Sequence, residues 1–214
     1  MISKLSSNKI RSVHVLGSTS DVAQNLCLEL ARRGCKKFHL VARSDIKNKI
    51  FAKRLLENKN LEVTTEYFDL CSETNFNELK YKFIEDYDLY LITAGYLGDN
   101  EEARGDFSEA LRIFDSNIRG LIPWLTLITT EKRLSTNSRL WVLSSVAADR
   151  GRQSNYHYGA AKAALNIFLE GLMIRSVQKP FSVRVIKTGY INTKMISGKK
   201  VPKFLITNTK SFTN

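Results

Sequence analysis

The chain predicts an α/β protein built on a doubly wound parallel sheet, short at its C-terminal end. Two observations carry this. Short apolar runs of strand type alternate with longer stretches of helical period along the 214 residues, the order that covers a parallel sheet with helices on both faces. Small or polar residues then follow each apolar run, where such sheets bind ligands at the carboxyl ends of their strands.

The elements read as follows. Val13 to Leu16 is a strand ending at Gly17, and a helix with Val22, Leu26, Leu30 and Ala31 on one face runs to a stop at Gly34. Phe38 to Ala42 is the second strand, and Ile46 to Glu57 a helix with Ile46, Ile50, Leu55 and Leu56 roughly in phase. Leu61 to Phe68 reads as a strand, Glu73 to Glu85 as a helix, Leu89 to Thr93 as a strand, and Gly95 to Gly105 as a loop. A long helix over Leu111 to Thr130, a strand over Leu140 to Leu143, a helix over Ala160 to Ser176 and a strand over Ser182 to Ile186 complete the series. Behind the six strands come Gly17, Arg43, Asp69, Ala94-Gly95, Ser144-Ser145 and Thr188-Gly189, one group to each.

Composition bounds the rest. Hydrophobic residues make up 43% of the chain, enough for a substantial core in a single domain. No apolar run approaches the ~20 residues that span a bilayer, and Met1 to Arg11 is too polar for a secretory signal. Cys27, Cys35 and Cys71 are odd in number and lack Cys-x-x-Cys spacing, which favours reduced thiols and a cytoplasmic location. The net charge of +12 admits nucleic acid, an anionic membrane face or phosphate-bearing small molecules as partners. The basic residues are scattered and carry no nucleic-acid-binding signature, so nucleic acid is not expected, and peripheral contact with an anionic membrane remains open.

The chemistry-bearing feature is Tyr158-Gly159-Ala160-Ala161-Lys162, thirteen residues after Ser145. On a helix, residues four apart share a face. A phenol titrates near pH ~10, and a nearby ammonium that stabilised its phenolate would make it a proton donor to a carbonyl oxygen. The alternative is a surface Tyr and Lys on an amphipathic helix. Tyr156 has Ala160, not a base, four residues on. His14 and His39 fall in core strands as packing residues, His157 sits beside the pair, and no His/Asp/Glu cluster has metal spacing.

These motifs together resemble the short-chain dehydrogenase/reductases over roughly residues 10 to 195, with 196 to 214 an irregular or partly ordered tail. The resemblance implies a Rossmann-type fold, a nicotinamide cofactor and a tetrad of Asn117, Ser145, Tyr158 and Lys162. Ser145 would polarise the carbonyl, Tyr158 protonate it, Lys162 lower the phenol pKa and hold the ribose, and Asn117 complete a proton relay. The glycine-rich turn corresponds to Gly17, Ser18, Thr19, Ser20, Asp21, Val22 and Ala23, departing from the family where glycines give way to Asp21 and Ala23. Asp21 is expected to start the helix and face away from the pyrophosphate. Asp69 and Leu70 would lie by the adenine, although Asp69 reads equally as a helix start. Ala94 and Gly95 would lie by the ribose; Thr93 replaces the usual Asn. Thr188, Gly189, Ile191 and Thr193 would meet the nicotinamide and diphosphate.

Arg43, with no acidic residue beside it at the end of the second strand, favours NADPH over NADH by pairing with a 2′-phosphate; the alternative is a surface arginine. The turn also resembles that of reductases acting on lipid- or nucleotide-linked keto-sugars. The implied function is reduction of a small carbonyl substrate by a homodimer or homotetramer meeting through the small residues Gly159 to Ala164 and Phe168. Against it stands a non-catalytic NADP-binding sensor or interaction subunit. Family members continue well past Gly189, whereas here Val201 to Ile206 is the sole apolar patch in the tail, so the substrate lid is minimal, supplied by a partner, or impaired.

Overall fold

The computed structural model describes residues 9–57, 60–72, 86–129, 138–177, 181–198, 201–209 and 211. Its centre is a six-stranded sheet of β1 (Ser12–Leu16), β2 (Lys37–Ala42), β3 (Glu62–Tyr67), β4 (Leu89–Ile92), β5 (Arg139–Ser145) and β6 (Ser182–Thr188). All pairings are parallel, in the order β3-β2-β1-β4-β5-β6. The order reverses between β1 and β4, and that switch point opens a crevice at the carboxyl ends of the strands.

Alternation along each strand feeds two cores. Val13 and Val15 of β1, with Leu89 and Leu91 of β4, pack beneath α1 (Asp21–Arg32) and α2 (Asp45–Leu56). Leu16, Tyr90, Ile92, Leu140 and Val142 pack on the opposite face, beneath α3 (Phe107–Phe114), α4 (Leu121–Ile128) and α5 (Tyr156–Ser176). His14 lies in that second core among His39, Tyr87, Tyr90 and Trp124, and burial pushes its pKa down to about 3. It is a neutral packing residue, as the sequence suggested. Among the described residues no helix is long and apolar enough to cross a membrane, and no His/Cys/Asp/Glu group could hold a metal ion.

The structure corrects several sequence boundaries. α2 is turned away from its expected phase: Ile46, Ile50 and Leu56 are exposed, while Asn48, Phe51, Ala52 and Leu55 face inward. Asn48 can be buried because its amide donates to Leu40 O at 2.8 Å and its carbonyl accepts from Ser18 Oγ at 2.6 Å. The long helix expected over Leu111 to Thr130 is broken into α3, a π-helical turn over Asp115–Arg119, and α4. Pro123 accounts for the break, since it has no N–H to offer the Arg119 carbonyl four residues back. The Gly95 to Gly105 loop contains a helical turn at Glu102–Gly105, and α5 begins at Tyr156 rather than Ala160. The helix read over Glu73 to Glu85 lies outside the described residues.

Candidate active site

At the end of β1 the chain turns at Gly17 with φ 93°, a left-handed conformation that glycine adopts without strain. A Cβ there would stand 2.4 Å from Ala94 N, so the turn and the end of β4 are in backbone contact. Thr93 braces this junction: its hydroxyl donates to Gly17 O at 2.9 Å and to Leu16 O at 3.3 Å. That answers how a threonine serves where the resembling family carries asparagine. Ser20 caps α1 by accepting from Ala23 N. The amides of Asp21 and Val22, in the first turn, have no carbonyl four residues back within the helix, and the helix dipole adds positive potential. This donor set fits a diphosphate.

Ser18 does not belong to it. Fully buried, its hydroxyl engages Val41 O and Asn48 Oδ1, so it ties β2 to α2 instead of meeting a phosphate. Asp21 is the first residue of α1, as expected, and Ser20 is its cap. The Asp21 carboxylate reaches across the crevice mouth and accepts from Lys194 N at 2.8 Å, with Lys194 Nζ at 3.6 Å.

From the glycine turn a cavity of about 840 Å³ runs along the strand ends, within the size range of small-molecule and cofactor sites. Thr19, Ser20, Arg43, Asp69, Leu70 and Ala94 line its first half. Arg43 is exposed, with its guanidinium 5.8 Å from the Tyr96 ring centroid. Asp69 uses Oδ1 to accept from Cys71 N at 3.0 Å, a local turn contact of the kind the alternative reading allowed.

At the far end stand Ser145, Tyr158 and Lys162. Ser145 Oγ accepts from Ala147 N at 3.1 Å, and its hydroxyl hydrogen-bonds the Tyr158 phenol in the sense that lowers the phenol's pKa. Lys162 is buried, donates from Nζ to Leu143 O at 3.3 Å, and lies 5.8 Å from the Tyr158 ring centroid. Gly95 makes room for it, since a Cβ there would lie 3.4 Å from Lys162 Nζ and 2.9 Å from Asn117 Oδ1.

The Tyr158 phenol is pushed up to about 12, chiefly by burial and against the lowering effect of the Ser145 hydrogen bond. Lys162 does not reverse this; burial lowers its own pKa to about 8, and it makes no hydrogen bond to the phenol among the described residues. Asn117 is fully buried in the π-helical turn and does not face the cavity with its side chain. Its amide donates to Tyr96 O at 2.6 Å and Ile113 O at 2.7 Å, and its carbonyl accepts from Tyr96 N at 3.3 Å. The Asn117 side chain therefore shapes the loop after Gly95.

Sequence reasoning missed several contributors. Asn166, one turn beyond Lys162, accepts from Ser144 Oγ at 2.6 Å and fixes the strand end that carries Ser145. A buried Asn inside an apolar helical face was the available signal. His157 sits beside the site, as the sequence suggested, with Nδ1 2.9 Å from Asn100 Oδ1. At the end of β6, Thr188 donates to Ser144 O at 3.2 Å, and beyond it Thr193 donates to Ile191 O at 3.2 Å. β7 (Tyr190–Ile191) pairs with β8 (Ile206–Thr207), and Met195, Ile196 and Leu205 line the cavity. The described part of the tail is thus partly ordered and forms a small lid, and Thr188, Gly189, Ile191 and Thr193 all lie in the cavity wall. Asp21 clamps this lid to α1. Asp21→Ala is expected to speed amide exchange at Lys194 on the order of tenfold or more, the cost of losing a hydrogen bond to a charged acceptor; hydrogen-exchange mass spectrometry checks this.

Comparison with known proteins places the site in context. A family model described as short chain dehydrogenase matches residues 11–202. An uncharacterized oxidoreductase of Streptomyces coelicolor is 31% identical over 183 residues, covering 85% of this chain and 72% of the relative. A short-chain dehydrogenase from Sphingobium yanoikuyae, solved in complex with NADPH, has a TM-score of 0.83 at 18% identity, covering 95% of this chain and 82% of that one. A short chain dehydrogenase from Shigella flexneri, solved with NADP, has a TM-score of 0.78 at 20% identity, covering 94% and 86%. These two structures share the six-stranded architecture described above.

Proposed function

The chain belongs to the short-chain dehydrogenase family, and on that premise we propose that it reduces a carbonyl compound to an alcohol with NADPH, Tyr158 giving the proton. Membership carries the coarser activity, NAD(P)-dependent oxidoreduction. The observation behind the finer reading is one continuous cavity with a diphosphate-binding turn at one end and Ser145, Tyr158 and Lys162 at the other. When bound, the nicotinamide supplies hydride to the carbonyl carbon. Ser145, held by Ala147 N, turns its hydroxyl hydrogen from the Tyr158 phenol to the substrate oxygen. Tyr158, held protonated through neutral pH by burial, transfers its proton to that oxygen as negative charge develops there. Lys162 faces the phenolate left behind and stabilises it through space. Met195, Ile196 and Leu205 exclude water above.

The preference for NADPH rests on Arg43, which lines the adenosine end and has no ion-pair partner among the described residues. Two structural neighbours, one solved with NADPH and one with NADP, are in keeping with it. An exposed strip on α5, formed by Ala160, Ala164, Ile167, Gly171 and Ile174, supports a homodimer through that helix, whereas Gly159 and Ala161 are spent on internal packing. The test is NADPH consumption against a panel of ketones, keto acids and keto-sugars, followed at 340 nm (about the absorbance maximum of the reduced ring) alongside cofactor titrations. Arg43→Ala should weaken NADPH binding roughly ten- to hundredfold and close the gap to NADH, the cost of a lost charge-assisted contact. No consumption with any carbonyl, or no NADPH preference to lose, would count against the reading.

A further inference from the structure

The charges lining the cavity do not balance. Its carboxylates are all engaged: Asp21 with Lys194, Asp69 with Cys71 N, and Asp99 with the amides of Glu101 and Glu102 at 2.9 and 3.3 Å. Lys194 is taken by Asp21, and Lys162 belongs to the Tyr158 chemistry. Two guanidiniums remain, Arg43 and Arg152, and among the described residues neither has a carboxylate partner. They stand at opposite ends. Arg43 follows β2, while Arg152 reaches Val146 O, one residue beyond Ser145 on β5, at a long 3.5 Å.

Neighbouring strands lie about 4.8 Å apart. With β1, β4 and β5 adjacent in that order, the end of β5 is about 10 Å from the glycine turn, and Arg152, bonded to Val146 O, stands at the Ser145 end of the cavity. Arg152 is half-buried, and Asn155, whose side chain does not cap the helix it precedes, lines the wall beside it. A partly desolvated guanidinium with one weak neutral acceptor is suited to a carboxylate or phosphate, which it can grip in bidentate fashion.

We infer that Arg152 is a specificity-determining residue, and that the carbonyl compound reduced at Tyr158 carries an anionic group, carboxylate or phosphate, which Arg152 holds. This rests on the reduction proposed above. Because Arg152 touches the residue next to Ser145, the anion lies a few bonds from the carbonyl, and the binding energy it contributes orients that carbonyl for Ser145 and Tyr158. The positive net charge of the chain would draw such substrates in.

The experiment compares matched pairs: short keto acids against their methyl esters, and phosphorylated ketones against the free hydroxyketones, with NADPH. The unmodified protein should prefer the anion in at least one pair by roughly tenfold or more in kcat/KM, expressed mainly in KM. Whichever pair shows the larger ratio identifies carboxylate or phosphate. Arg152→Gln should bring that ratio close to one, and Arg152→Lys should restore part of it. A second readout needs no turnover: in the NADP-loaded protein, the matching carboxylate or phosphate monoester without a carbonyl should raise Tm, and Arg152→Gln should abolish the rise. Neutral ketones reduced as well as anionic ones, or a ratio unchanged in Arg152→Gln, overturns the inference while leaving carbonyl reduction intact. An Arg152-dependent Tm shift with no carbonyl consumed upholds the anion site and overturns the reduction.

Discussion

Tyr158→Phe is expected to cut carbonyl reduction by about 10²–10⁴-fold while leaving NADPH binding and folding in place. The phenol oxygen is the group that would be lost, and the geometry says what else depends on it. Tyr158 is buried on the inner face of α5 with its ring against the second core, and phenylalanine keeps that packing. The Ser145 hydroxyl loses one partner but retains Ala147 N at 3.1 Å. Arg43, the glycine turn and the first turn of α1 are untouched at the other end of the cavity. Cofactor titration and Tm should therefore move little, and the loss should fall on kcat. A phenol near 12 also fixes the pH behaviour, because it keeps its proton across the neutral range, and reduction does not decline at moderately alkaline pH through loss of the Tyr158 proton itself. A variant that binds NADPH and still turns over within a few-fold of the unmodified protein would show that Tyr158 is not the proton donor.

How much of this was legible beforehand depended on whether the signal was local. Strand identity was visible because buried parallel strands are short apolar runs, and Val13 to Leu16 or Leu89 to Ile92 fit no other pattern. Tyr158 and Lys162 were visible because the helical repeat sets them on one face whatever surrounds them. What could not be seen were residues whose role is set by a distant partner. Ser18 looked like a phosphate ligand until Asn48, thirty residues away, was found holding it inward. Asn48 itself upset the phase of α2, since hydrophobic periodicity assigns polar residues outward and takes no account of a buried amide satisfied by Leu40 O and Ser18. Asp21 was read from its neighbours as a helix-starting residue, yet its carboxylate is committed to Lys194, 173 positions on. The Tyr158 phenol was read from charge alone, and in the structure burial is the largest influence on it, opposed by the Ser145 hydrogen bond.

Lys162→Met should make the protein more stable and nearly inactive. Burial holds the Lys162 pKa at about 8, below the ordinary lysine value of 10.5. The unfolded chain thus binds that proton more tightly than the folded one, and below pH 8 the folded state carries the whole cost, on the order of 3 kcal/mol. Methionine fills a similar volume without the charge, at the loss of one hydrogen bond to Leu143 O, worth about 1 kcal/mol. The net gain of about 2 kcal/mol corresponds to a Tm several degrees higher near pH 7, at about 2–4 °C per kcal/mol for a domain of this size. The sign of the pH dependence separates this from a packing effect. Between pH 8 and 10.5 the unfolded state holds more protons, so the unmodified protein gains stability as pH rises, and the advantage of Lys162→Met should fade across that window. Activity should move the other way: the variant loses on the order of 10²-fold or more in kcat with the phenolate left unstabilised. The unmodified protein should decline in the same sense as pH rises through about 8 and the ammonium gives up its proton. Equal Tm at pH 7, or an advantage that persists undiminished at high pH, would mean that Lys162 is not a charge the fold retains at its own expense for the sake of the phenol beside it.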